Sequence, residues 1–279
     1  YDPLCETIVF LCCFGSSSMT QRAAVLAAQV CAAPAYISFA GRRCIVTGAA
    51  RGIARVVAKT LHDMGAAIVA VDVLEDQLAS LKEEIGCETV KVDLSDAAAL
   101  TKAVAGIVEQ GTVHHVVNAA GIAIFEPFFD QSIENFDKIY AINVRAIEII
   151  TRVVTKDLVG RKAVGSIVNF SSQSSYFALP DHLAYSSSKA AVDHITRIQA
   201  FELGPYGIRV NAVNPTVVMT ELAKKAWSEE GVAKMKQSIP LRKLATEQDV
   251  ADAVVWLLSD KAAMVTGVTL PVDGGRTVC

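Results

Sequence analysis

From residue 41 to the end of the chain, short apolar runs alternate with longer segments whose apolar positions recur at helical spacing. The runs are Cys44–Val46, Ala67–Val73, Thr89–Val92, Val113–Val117, Gly165–Phe170, Ile208–Val213 and Val268–Val272. Strand, helix and strand in repeated order predict a doubly wound α/β fold, a parallel sheet with helices on both faces. The Val and Ile character of the runs, without polar alternation, predicts strands buried on both faces. Ser95 and Ser132 read as helix N-caps, and Thr246-Glu247-Gln248-Asp249 reads as a capping box ahead of Val250–Leu258. No repeat, linker or low-complexity block divides residues 41–279, which predicts a single domain.

Composition narrows the function classes. The chain has 279 residues, 52% apolar and 20% charged, with 26 basic and 29 acidic side chains for a net charge of −3. There is no positive excess to neutralise phosphates, so a generic nucleic-acid surface is not expected. Seven cysteines without a Cys-x-x-Cys pair form neither a disulfide framework nor a zinc site. No metal site is expected. The apolar run Ile8–Phe14 is too short for an integral membrane span. Residues 1–40 read as an N-terminal extension, disordered or targeting. From Met19 to His62 the chain has no acidic residue but carries Arg22, Arg42, Arg43, Arg51, Arg55 and Lys59. The expected location is cytoplasmic, or mitochondrial if residues 19–40 are a transit segment.

The first apolar run leads into Thr47-Gly48-Ala49-Ala50-Arg51-Gly52-Ile53-Ala54 and then a helical stretch. A glycine-rich turn between strand and helix lets backbone N–H groups and the positive helix terminus approach a pyrophosphate. Gly48, Arg51, Gly52 and Ile53 are the candidate contacts. Asp72 follows Gly52 by 20 residues at the end of the second run, where a carboxylate accepts from adenosine ribose hydroxyls. It would repel a 2′-phosphate, so NAD(H) is favoured. Arg51 could pair with that phosphate, which keeps NADP(H) as the alternative.

Tyr185-Ser186-Ser187-Ser188-Lys189 opens a helical stretch through Leu203. Residues four apart share a helix face, so the Lys189 ammonium can lie near the Tyr185 phenol. A free phenol has a pKa near 10, and a neighbouring cation stabilises its phenolate. That is the requirement for a general acid and base near neutrality.

With these motifs in place, residues 41–279 resemble the short-chain dehydrogenase/reductase family. The family's T-G-x-x-x-G-x-G matches Thr47, Gly48 and Gly52, with Ala54 at the last glycine; its N-N-A-G appears as Asn118-Ala119-Ala120-Gly121. Its Asn matches Asn143, its Ser matches Ser172, and Pro215 follows the sixth strand with Thr216 replacing glycine. Within the family the run Ile208–Thr220, with Leu270-Pro271-Val272-Asp273-Gly274-Gly275, resembles the pentulose and dicarbonyl reductases, which use NADPH. The resemblance implies a Rossmann-like fold and hydride transfer between a nicotinamide and a carbonyl or secondary alcohol. In that reading Tyr185 protonates the developing alkoxide, Ser172 hydrogen-bonds the same oxygen, and Lys189 holds the phenol acidic and binds the nicotinamide ribose. Asn143 positions a proton-relay water or, alternatively, caps local backbone. Asp93 contacts the adenine, Asn118 lies beside the adenosine ribose, and Pro215, Val218 and Thr220 flank the nicotinamide end. Ala54 and Ala119 depart from the pattern and keep a second reading open, a catalytically weak nucleotide-binding scaffold or sensor.

Gln173, His182 and Trp227 are the candidate substrate contacts, two polar groups and a large amphipathic ring that suit a small carbonyl or polyol. Thr216–Pro240 is long enough for a lid. His114 and His115 read as structural. Ala191, Val192, Ile195 and Ile198 form a stripe that buries against the sheet, and the resemblance adds that this helix meets its twin in a homodimer or homotetramer.

Overall fold

Seven short apolar runs become strands whose backbone groups pair with one another and whose apolar side chains are covered by helices. In the computed structural model, which describes residues 37–220 and 228–279, the strands are β1 (Arg43–Thr47), β2 (Ala67–Asp72), β3 (Glu88–Lys91), β4 (His115–Asn118), β5 (Gly165–Phe170), β6 (Ile208–Pro215) and β7 (Thr269–Val272). They form one parallel sheet in the order β3-β2-β1-β4-β5-β6-β7. The helices are α1 (Gly52–Asp63), α2 (Glu75–Ile85), α3 (Ala97–Glu109), α4 (Ile133–Tyr140), α5 (Ala146–Gly160), α6 (Leu183–Leu203), α7 (Glu229–Gln237) and α8 (Glu247–Leu258). A π-turn, Ala141–Arg145, joins α4 to α5. The compact unit runs from Phe39 to Cys279.

Apart from Arg43, Ala67 and Arg209, the inner strands are buried, as their composition predicts. The edge strands β3 and β7 are only half-buried, which corrects the expectation for the sheet as a whole. An edge strand has a neighbour on one side only, so fewer side chains cover it. Ile45, Val71, Val116 and Ile167 from the sheet pack with Leu100 of α3 and Ile150 of α5 in one cluster. Burying each such side chain contributes roughly 1.5–3 kcal/mol.

Two of three expected caps are present. Ser132 accepts from the Asn135 amide, and Thr246 and Asp249 form the reciprocal capping box of α8. At α3 the cap is Asp96 rather than Ser95, because Ser95 is held by Asp93 and the next carboxylate is free to reach Ala98 and Ala99. Burial pushes His115 down to about 3, so it stays neutral with its ring edge-on to Phe39, while the ring nitrogen of His114 accepts from the Arg43 amide. The stripe on α6 splits: Val192 is fully buried, whereas Ile198 is exposed. No helix among the described residues is long and apolar enough to cross a membrane.

Strand order reverses between β1 and β4, so the loops leaving their carboxyl ends diverge to opposite sides. Such a switch point opens a crevice where ligands bind in sheets of this kind.

Candidate active site

The crevice is a cleft of about 640 Å³ whose walls include Gly48, Arg51, Gly52, Asp72, Gly121 and Thr220. Gly48 is required at its position twice over. Its φ is +72°, and a Cβ there would stand 2.9 Å from the Cα of Ala120. The close approach is held by Thr47, whose hydroxyl accepts from the amides of Ala119 and Ala120 at 3.1 Å each. Strand β1 and the loop after β4 are thereby pinned together at the cleft floor.

These residues fit a dinucleotide. Helix α1 starts at the cleft with no side-chain cap from Arg51 and no acid in its first turn. Its first N–H groups and the positive end of its dipole are therefore directed to an anion from outside the helix. Ile53 lines the same wall, as does Ala54, buried where the family has glycine. Asp72 stands at the carboxyl end of β2, with one oxygen taking the Ala50 amide at 3.1 Å and the other the amides of Val73 and Leu74 at 2.7 and 3.1 Å. A carboxylate has about four acceptor sites, so one remains for a ligand hydroxyl.

Other expected nucleotide contacts divide. Asp93 lines the cleft, yet one of its oxygens takes both the amide and the hydroxyl of Ser95, at 2.8 and 2.7 Å. The Asn118 side chain is 1% exposed and donates to Asn169 Oδ1 at 2.9 Å, inside the sheet and off the cleft wall, so only its backbone faces the nucleotide end. Paired in register on adjacent strands, the two asparagines brace β4 to β5. Pro215 ends β6, and Val218 bridges to Ala245; neither is on the cleft wall. Thr220 is, with its Cγ2 3.6 Å from where a Cβ of Gly52 would stand.

The chemical residues converge beside this cleft. Helix α6 carries Tyr185 and Lys189 one turn apart, with the Lys189 Nζ 5.7 Å from the centre of the Tyr185 ring. Ser172, two residues beyond β5, lies close enough to the phenol for its hydroxyl to favour the ionised form. Its Oγ also receives the amide of Ser174 at 3.2 Å and the Ser174 hydroxyl at 3.0 Å. A hydroxyl has two acceptor sites and one proton. Ser174 fills the acceptor sites, so the Ser172 proton is directed to the phenol oxygen or to a substrate oxygen beside it. Ser174 had no part in the sequence expectations, although Ser-x-Ser spacing is the local signal of a hydroxyl capping two residues onward.

Burial decides the protonation of the pair. It raises the Tyr185 phenol, opposed by the Ser172 hydrogen bond, and it pushes the Lys189 ammonium down to about 8. Lys189 stands one turn away as the expected cation, and burial is the larger of the influences on the phenol itself. Lys189 Nζ donates to the Phe170 carbonyl at 2.8 Å and lies 3.4 Å from where a Gly121 Cβ would stand, so it borders the cleft through glycine backbone.

Asn143 is fully buried in the π-turn, and its amide clamps Ile122: Oδ1 accepts the Ile122 N–H at 2.9 Å and Nδ2 donates to the Ile122 carbonyl at 3.0 Å. Nδ2 also reaches Ser188 Oγ at 3.1 Å, and that hydroxyl donates to the Tyr185 carbonyl at 2.6 Å. The side chain thus caps local backbone, the alternative of its two readings, and ties the cleft loop to the catalytic helix.

Of the substrate candidates, Gln173 is buried beside Ser172 with its Oε1 unpartnered. His182 precedes α6, its Nδ1 against the Pro180 carbonyl and its ring stacked 4.1 Å from Phe125, which stands edge-on to Tyr185 at 6.0 Å. Phe125, whose ring packs on both His182 and Tyr185, is a neighbour of the phenol that no motif announced. Trp227 lies outside the described residues.

A fold with the order reversal at β1 and β4, a glycine cradle and a Tyr, Ser and Lys set beside it defines a class of nicotinamide-dependent enzymes. The comparisons agree with this geometry. Residues 48–277 match the family model described as Enoyl-(Acyl carrier protein) reductase. The chain is 46% identical over 241 residues to L-xylulose reductase of Bos taurus, covering 86% of this chain and 98% of that one. It is 42% identical over 244 residues to D-erythrulose reductase of Gallus gallus, covering 87% and 98%. A gluconate 5-dehydrogenase from Burkholderia cenocepacia, solved in complex with NADP and tartrate, superposes with a TM-score of 0.82 at 26% identity, covering 87% of this chain and 97% of that one. The chain belongs to the short-chain dehydrogenase/reductase family. It is an NAD(P)-dependent oxidoreductase acting on CH–OH groups.

Proposed function

We propose that the chain interconverts a small polar ketone or ketose with its secondary alcohol, in the manner of a pentulose or dicarbonyl reductase. A bound nicotinamide dinucleotide supplies or takes up the hydride. The chain's own residues hold the reacting oxygen and move its proton. In reduction Tyr185 gives its phenolic proton to the developing alkoxide, while Ser172, oriented by Ser174, donates a hydrogen bond to the same oxygen. In oxidation the phenolate takes the proton back. Lys189 sets a positive charge beside the phenol as it ionises, and Asn143 keeps the cleft loop and α6 in register. Gln173 and His182 offer polar atoms, and Phe125 an apolar wall, to a substrate carrying hydroxyl or second carbonyl groups.

The observation that carries this reading is the Ser172 proton directed at Tyr185 beside a cleft that fits a dinucleotide. Within that cleft Gly48, Gly52 and the start of α1 would hold the pyrophosphate and Asp72 the adenosine ribose. The remaining acceptor site of Asp72 suits a hydroxyl and repels a phosphate, so NAD(H) is the preferred cofactor in this reading. Arg51, exposed on the same wall, is the residue that would favour NADP(H) instead. Residues 41–279 act as one catalytic domain, and the exposed Ile198 and Phe201 of α6 suit a homodimer or homotetramer. The location proposed is cytoplasmic.

The test is turnover of NADH and NADPH with L-xylulose, erythrulose and diacetyl, with Tyr185→Phe beside the unaltered chain. Turnover that vanishes in the variant supports the enzyme. Cofactor binding without turnover on any of these substrates supports the scaffold reading instead.

A further inference from the structure

One ionisable group on the catalytic helix has no part in the proton transfer just described. Tyr185, Lys189 and Asp193 follow one another at intervals of four along α6, so they stack on one face. Lys189 and Asp193 are 4% and 6% exposed. Both oxygens of Asp193 lie within reach of the Asn214 amide nitrogen, at 3.1 and 3.2 Å. The same nitrogen stands 3.2 Å from the Ser172 carbonyl and 3.0 Å from Ser175 Oγ. An amide NH₂ has two hydrogens, so four contacts share them, and the carboxylate receives only a partial neutral donor. A buried carboxylate so poorly matched is unfavourable unless a positive charge lies close.

Lys189, one turn away, is the buried cation on this face. Its Nζ is anchored on the Phe170 carbonyl at 2.8 Å, and Asp193 opposes the downward push of burial on the ammonium. The other charged groups near the helix are exposed or held elsewhere. Glu134, Asp137 and Lys138 of α4 and Arg145 of the π-turn are exposed, as are His194 and Arg197 on α6. Tyr206, following α6, is exposed, and Arg209 of β6 is held by the carbonyls of Leu257, Leu258 and Ser259.

We propose that Asp193 is a positioning residue for the reaction, acting on Tyr185 through Lys189 and, by way of Asn214, on the backbone that carries Ser172. Strand β6 and helix α6 thereby hold the proton donor and its serine in one frame. The proposal rests on the roles given above to Tyr185, Ser172 and Lys189.

The experiment measures kcat/KM for ketone reduction against pH in the full chain and in Asp193→Asn, Asp193→Ser and Asp193→Glu, with Tyr185→Phe alongside. Asparagine keeps one acceptor for Asn214 and removes the charge but turns the other oxygen into a donor facing that amide, a mismatch that Asp193→Ser avoids. Losing a negative charge beside an ammonium lets it give up its proton at lower pH, so the alkaline limb of Asp193→Asn moves down by about half to one pH unit. Glutamate restores the limb toward its original place. A folded neutral variant whose limb does not move overturns the proposal. So does failure of both neutral variants to fold while glutamate folds, since the carboxylate is then a structural anchor. A Tyr185→Phe chain as active as the unaltered one overturns the reaction reading itself, and this proposal with it, whatever the limbs do.

Discussion

The hydroxyl of Ser172 accepts from both the amide and the hydroxyl of Ser174. That arrangement turns an otherwise rotating hydroxyl into a directed donor. Ser174→Ala removes one of the two contacts and leaves Ser172 free to rotate for part of the time. We expect kcat to fall by about tenfold with KM little changed, against a loss of about 10² or more for Ser172→Ala. Steady-state kinetics of both variants checks this, and equal losses would show that Ser174 does more than orient.

Asn143→Ala deletes the clamp on Ile122 and leaves its part-buried N–H and C=O without their side-chain partner. Each orphaned group costs about 1–3 kcal/mol, so the two together give an expected destabilisation of about 2–6 kcal/mol, read from urea unfolding. Activity should fall further than stability explains, because Ser188 and the start of α6 lose their tie to the cleft loop. A change under about 0.5 kcal/mol, the ordinary scatter of surface substitutions, contradicts the clamp.

Lys189 carries its charge below about pH 8 and loses it above, since burial disfavours the ammonium. The positive charge beside the phenol is therefore present on the acid side of that value. Reduction should be near its plateau at pH 7 and decline through pH 8 to 9, measured as kcat/KM at saturating cofactor. A plateau that persists to the ordinary lysine range, near 10.4, would mean that solvent or a bound ligand screens this group.

Asp72→Ser is expected to move preference toward NADPH by about tenfold or more in the ratio of kcat/KM values, roughly 1.4 kcal/mol. It should also lower stability by about 1–3 kcal/mol, because the amides of Ala50, Val73 and Leu74 lose a charged acceptor. Thermal melting and paired NADH and NADPH kinetics separate the two effects. A stability loss without any change in preference would assign Asp72 to the turn alone.

The alternation of apolar runs placed the five inner strands because an inner parallel strand is apolar on both faces and so reads as an unbroken run, and the edge strands β3 and β7 by their place in the same alternation. The glycine turn and the Tyr185 and Lys189 spacing were legible for a similar reason: neighbours in sequence stay neighbours on a turn or a helix. Ser132 and Thr246 announced their caps by local pattern, whereas Ser95 did not, since a second acceptor one residue later competed for the same amides.

What the chain's order of residues determined by itself is therefore the sheet, its helices and the pairing of residues within one turn of helix or loop. What only the tertiary structure decided is where side chains from distant segments meet. Asn118 turns into the sheet because Asn169, 51 residues on, faces it across β4 and β5; Asn143 clamps Ile122 from 21 residues away; Asn214 joins Asp193 to Ser172. A buried polar group takes whichever partner packing delivers, and the protonation of Tyr185 and Lys189 follows from how much water that packing removes.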